Sequence, residues 1–215
     1  MLPKPAAWYK IAAMTNKPII IAGGGIGGLA AALGLAQKGF ASIVLEKSPE
    51  LSEIGAGIQL GPNAFHSFDY LGVGDAARRN AVYVDKLRLM DAMSGDEIMH
   101  IPLDEPFRKR FGNPYAVVHR GDLYGVLLQG CQDSDLIQLR VNADVTGYDQ
   151  DESGVSARLA NGERVTGTAL IGAVVISSLV AAFVSNISEQ PSIPAELTDA
   201  IEIEVAAGAS FVAAD

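Results

Sequence analysis

Apolar residues along the chain fall into short, separated runs rather than one continuous pattern. Residues 18–22 (PIIIA) are apolar and β-branched, the signature of a strand buried on both faces. GGGIGG follows, then LAAALGLAQKGF, which carries helix formers at helical spacing with Gly39 as the stop. Residues 41–46 (ASIVLE) form a second buried strand. Strand, glycine turn, helix and strand in so short a span predict a βαβ unit with a right-handed crossover. Residues 51–61 (LSEIGAGIQLG) read as a glycine-rich loop, and Pro62 suits the first turn of a helix running to about Leu71. Residues 82–90 and 97–102 read as strands joined by an SGD turn, and residues 115–119 as another strand. Residues 121–131 (GDLYGVLLQGC) form an amphipathic helix. Residues 137–141, 145–148, 155–159 and 164–169 follow as strands, with Asn161-Gly162 as a hairpin turn between the last two. The expected fold class is α/β: a Rossmann-like βαβ domain with additional antiparallel strands.

The pattern changes near residue 169. Residues 165–188 carry no charge, and their densest apolar part, 169–184, is shorter than the roughly 20 residues a membrane-spanning helix needs. Its start also reads as a strand of the nucleotide domain. A buried helix and a membrane-associated segment both stay open for this run. Residues 194–205 (PAELTDAIEIEV) read as a short acidic helix.

Charge marks the same break. The net charge of −9 argues against a nucleic-acid surface. All 16 Lys and Arg fall within residues 1–164, whereas residues 165–215 hold six acids and no base. The single cysteine, Cys131, excludes an internal disulfide and reads as a buried, inert thiol. His66, His100 and His119 have no ligand spacing, so no metal site is expected. The first 16 residues lack the apolar core of a secretion signal and read as a loose extension, with Met14 as a candidate start. A cytoplasmic location is expected, with membrane attachment through residues 165–188 as the alternative.

Two features point to chemistry. Gly23-x-Gly25-x-x-Gly28 lies between strand and helix, where a dinucleotide fingerprint belongs. Gly23 permits the tight turn, Gly25 lets a pyrophosphate approach the backbone, and Gly28 lets the helix pack on the sheet. Glu46 ends the second strand, where a carboxylate accepts hydrogen bonds from ribose hydroxyls. The competing reading is a glycine-rich turn beside a solvated Glu. Arg120 sits at the N-terminal edge of a helix, where a cation opposes the helix dipole. An anionic ligand would explain it, and so would a solvated Arg beside Asp122.

GGGIGGLAAALGLAQKG, VLEK, EIGAGIQLGPNA and VVHRGDL, in that order, resemble the FAD-dependent aromatic-ring monooxygenases, within them the salicylate and 3-hydroxybenzoate hydroxylases. The resemblance covers roughly residues 17–173 and implies FAD in the glycine turn. It implies Glu46 on the adenosine ribose, Arg120 on the FAD, and the loop holding Gly57 and Gln59 beside the flavin. It further implies NADH or NADPH as co-substrate, without a second nucleotide fold, and a small phenolic acid as the molecule hydroxylated. The family's strand continues into an Asp-Gly pair, where Val174-Val175 stand here. The expected organisation is therefore an extension over 1–16, an incomplete FAD-binding domain over 17–173, and an unrelated apolar helix with acidic tail over 174–215. A truncated and inactive hydroxylase with no catalytic residue of its own is the leading expectation. A non-catalytic FAD-binding or membrane-associated module and a nicotinamide-dependent reductase are the alternatives.

Overall fold

The computed structural model describes residues 17–52, 55–173, 200–205 and 209–214. The described residues divide into two compact units, the first holding those up to Leu51 and from Asp135 onward, the second those within 52–134. Elements are numbered in chain order.

The first unit is organised by a parallel four-stranded sheet. β1 (Ile19–Ala22) and β2 (Ser42–Leu45) pair in parallel, and β8 (Ile137–Arg140) and β12 (Leu170–Gly172) extend the sheet in the order β12-β1-β2-β8. All four residues of β2 are buried, as expected for a parallel strand covered on both faces. α1 (Ile26–Gln37) joins β1 to β2 and buries Gly28, Leu29, Ala32 and Leu33 along one stripe. It ends in a Schellman motif. Gly39 adopts φ +79°, its N–H donates to Ala36 O at 2.9 Å, and the N–H of Phe40 donates to Leu35 O at 3.0 Å. The apolar run raised by the sequence therefore begins as a strand: Leu170, Ile171 and Gly172 pair with Ile20, Ile21 and Ala22.

β9 (Val145–Asp151), β10 (Gly154–Leu159) and β11 (Arg164–Gly167) form an antiparallel sheet with β10 in the middle. Alternate residues of β10, Val155, Ala157 and Leu159, are buried and join Ile20, Ile43, Leu45 and Ala143 in one core cluster. On the exposed side Asp149 accepts from Arg158 and Arg164 together.

In the second unit β7 (Ala116–His119) lies between β3 (Gly57–Leu60) and β4 (Val82–Tyr83), antiparallel to both. Its helices are α2 (Pro62–Tyr70), α3 (Gly74–Arg79), α4 (Glu105–Phe111) and α5 (Arg120–Gln132). Pro62 begins α2, where its missing N–H costs nothing. Arg78 of α3 ties the helices together through Asp69 of α2 and Asn113 Oδ1, the latter at 2.8 Å. β5 (Lys86–Met90) and β6 (Glu97–Pro102) form a separate two-stranded hairpin.

Several expectations are corrected. The stretch read as loop over 51–61 contains β3, because Ile58 and Leu60 turn inward although Gly57 and Gln59 do not. The strand expected over 82–90 is broken into β4 and β5, and α3 and α4 are additional. Within the stretch read as an acidic helix, β13 (Ala200–Val205) is a strand pairing with β14 (Ala209–Ala214), because AIEIEV alternates with the period of a strand. The rest of that expected helix, most of the apolar run from 174 onward, and the extension over 1–16 lie outside the described residues. Among the described residues no helix is long and apolar enough to cross a membrane.

Candidate cofactor site

The glycine turn is shaped by a different constraint at each position. Gly23 adopts φ +109°, a conformation L side chains rarely adopt, and its N–H donates to Leu45 O at 2.8 Å, tying the turn to the end of β2. A Cβ on Gly24 would lie 2.9 Å from both Glu46 Cβ and Leu51 Cδ2. A Cβ on Gly28 would overlap the Gly23 carbonyl oxygen. Gly25 differs: a Cβ there would meet nothing within 4 Å. The packing that demands glycine at 24 and 28 is thus absent at 25, the N-cap of α1. No side chain caps this helix end and no acid occupies its first turn. Helix N-termini present N–H groups and partial positive charge, which suits a phosphate.

Glu46 follows directly on β2. Its Oε2 accepts the Gly24 N–H at 2.7 Å and its Oε1 accepts the Ser48 N–H at 2.9 Å. Burial alone would raise its pKa, but the hydrogen bonds from Ser48 and Gly24 outweigh it and hold the carboxyl below its usual value of 4.5. Glu46 is therefore an ionised, oriented acceptor, and carboxylate oxygens have capacity for more than one hydrogen bond each. Sequence reasoning missed Ser48, although a side chain accepting from the N–H two residues on is a recurrent local pattern.

In the second unit β3 and β7 bring the other expected residues together. Gly57 pairs with His119, and the N–H of Arg120 donates to Ala56 O at 2.9 Å. Arg120 is the first residue of α5 and half-buried. Gln59 Oε1 accepts from the Tyr115 hydroxyl. A Cβ on Gly55 would overlap the His119 ring, so only glycine lets the loop lie this close to β7. His119 and Tyr115 are contacts the sequence did not signal. Gly23, Gly25, Gly28 and Glu46 thus come together in the first unit, and Gly57, Gln59 and Arg120 in the second.

Cys131 is buried, and burial pushes its thiol up to about 12, so it is not a nucleophile at neutral pH. Among the described residues no cluster of His, Cys, Asp or Glu could hold a metal ion.

Comparison with known proteins decides the family. Residues 16–182 match the family model described as "FAD binding domain". The chain belongs to the FAD-binding domain family. The match runs past Ala173, where the resemblance was expected to stop. The chain is 55% identical over 155 residues to 3-hydroxybenzoate 6-hydroxylase 1 of Aquipseudomonas alcaligenes, covering 72% of this chain and 39% of that protein. It is 50% identical over 163 residues to the 3-hydroxybenzoate 6-hydroxylase of Polaromonas naphthalenivorans, covering 76% and 41%. Among solved structures, Klebsiella pneumoniae HpxO complexed with FAD and uric acid aligns with a TM-score of 0.63 at 28% identity, over 74% of this chain and 39% of that one. The chain spans about two fifths of the length of these relatives. FAD is the cofactor of the family, and the first-unit site fits it: space beside Gly25 at an uncapped helix N-terminus, with an ionised carboxylate at the end of the neighbouring strand.

Proposed function

We propose that this chain is the FAD-binding portion of an NAD(P)H-using monooxygenase that hydroxylates a phenolic aromatic acid of the 3-hydroxybenzoate or salicylate type. The observation that carries the reading is the high identity to two 3-hydroxybenzoate 6-hydroxylases, joined to a glycine turn in which Gly25, at a helix N-terminus, is an open position. FAD, when bound, supplies the electron transfer and oxygen chemistry that no side chain provides.

The chain's own residues bind and orient. Gly25 leaves room for the pyrophosphate, and the first turn of α1 supplies N–H donors to it. Glu46, held by Gly24 and Ser48, accepts the hydroxyls of the adenosine ribose. Arg120 donates to phosphate or ribityl oxygens, and Gly57 and Gln59 lie along the flavin. We place this FAD-binding part at residues 17–173, with the family match running nine residues further, to 182. Val174 and Val175 stand where the resemblance expects an Asp-Gly pair, and they cannot supply its carboxylate or its close backbone approach.

Alone, the chain is expected to be inactive. Hydroxylation needs an enclosed cavity that keeps water from the reacting atoms, and three fifths or so of each hydroxylase relative lies beyond the match. The test is an incubation with FAD, NADH and 3-hydroxybenzoate or salicylate. No dihydroxylated product should form, and any NADH oxidised should appear as hydrogen peroxide. Dihydroxylated product in amounts matching the NADH consumed would overturn this reading.

A further inference from the structure

On one face of the β3–β7 ladder a tyrosine holds a glutamine by its carbonyl end. Gln59 lies opposite Val117, and Leu60 opposite Ala116. Side chains alternate between the two faces of a strand, so Gln59 shares its face with Val117 and with Tyr115, two residues earlier. Leu60, Ala116 and Val118 turn the other way and are buried. Gln59 is exposed and Tyr115 half-buried. The backbone at Tyr115 is fixed from two directions. Asn113 is buried, with its Oδ1 accepting from Arg78 at 2.8 Å, and the Tyr115 carbonyl accepts the Val84 N–H at 3.2 Å. From this anchored position the Tyr115 hydroxyl donates to Gln59 Oε1. Among the described residues it is the only hydrogen bond of the Gln59 side chain.

A carboxamide has an acceptor end and a donor end. With Oε1 engaged by Tyr115, the end available to a ligand is the amide nitrogen, which carries two N–H donors. A flavin ring offers acceptors to such donors, and hydrogen bonds to its ring atoms tune its electronics. We propose that Tyr115 is a positioning residue for the cofactor: its hydroxyl holds the carbonyl end of Gln59, so that Gln59 offers donors, and not an acceptor, to the ring system of FAD. The proposal rests on the reading of Gln59 as a residue beside the flavin. A carboxamide without this anchor turns freely, and ordering it on binding then costs affinity that a preorganised group does not lose. The competing role is a clasp between β3 and β7 that serves the fold alone.

The test is a titration of the full chain and its variants with FAD and, separately, with ADP, which shares the adenosine and pyrophosphate but lacks the flavin ring. Tyr115→Phe should weaken FAD about three- to tenfold, the range of one hydrogen bond. It should also shift the visible absorbance of the bound flavin and leave ADP affinity unchanged. Gln59→Glu keeps an oxygen for the Tyr115 hydroxyl but replaces the donor end with a second, charged acceptor. It should weaken FAD at least as much as Tyr115→Phe and again spare ADP. Tyr115→Phe combined with Gln59→Leu should lose no more than Gln59→Leu alone, because the hydroxyl acts through Gln59. Thermal melts without ligand establish that each variant is folded. FAD affinity indifferent to Tyr115→Phe would overturn the proposal. So would equal weakening of FAD and ADP, which marks a role in the fold alone, or additive losses in the double variant. A parent chain that binds neither ligand would overturn the cofactor reading itself, and the proposal with it.

Discussion

The glycine turn of the first unit and the β5–β6 hairpin of the second are both incomplete, in opposite ways. Around the turn nearly every position is packed against something: Gly24 against Glu46, Gly28 against the Gly23 carbonyl, Glu46 against two N–H groups. Space remains at Gly25, and it is bordered by the N-terminus of a helix. The hairpin pairs Glu97 with Arg88 and His100 and leaves Leu89, Met99 and Ile101 exposed. The chemistry bordering an opening indicates what fills it. A polar gap with N–H donors suits a phosphate, and an apolar sheet face suits another layer of protein.

The largest expected effect separates two glycines three residues apart. Gly28→Val drives a side chain into the backbone at Gly23 and should destabilise the protein by about 3 kcal/mol or more, with or without ligand. In Gly25→Val the added Cβ meets nothing within 4 Å, and the variant should unfold close to the parent. Denaturant unfolding of the two variants checks this. Similar losses for both would mean that the turn at Gly25 is packed rather than open.

The contrast between the two regions also governs what was legible in the sequence. β1, α1 and β2 were legible because apolar runs, helix spacing and the Gly39 stop all agree there. β3 was not, because glycines surround the alternation of Ile58 and Leu60. α4 carries a proline in its first turn and Gly112 at φ +73° after its end, but it buries no residue, so no apolar stripe announced it. α3 has six residues and begins on a glycine. The strand over 200–205 was misread because its acids outweighed its strict alternation. At the candidate site, Glu46 was legible from its place at the end of a strand. Its partner Ser48, and the packing of His119 on Gly55, depend on backbone geometry that composition does not reveal.

A smaller effect concerns Glu46. Its carboxyl is held below the usual 4.5, so its contribution to stability is fully present above about pH 4.5 and fades as pH falls through the lowered value. Glu46→Gln should cost about 1 kcal/mol at neutral pH, allowing for solvent screening. The difference from the parent should vanish in acid. A penalty independent of pH would show that the two N–H contacts do not depend on charge.

The smallest effect belongs to the polar face of the hairpin. Glu97 is exposed, and Glu97→Gln should leave the unfolding midpoint of the isolated chain unchanged within error. A clear loss would show that the hairpin is held by its ion pairs.

The most direct test of the account is a titration of the parent chain and of Gly25→Val with FAD, followed by flavin fluorescence and thermal midpoint. The parent should bind FAD saturably and be stabilised by it, and by NAD less. Gly25→Val should remain folded and lose the FAD response, since its side chain would stand where the pyrophosphate must lie. Equal FAD binding by the two proteins would contradict the placement of the cofactor at the glycine turn.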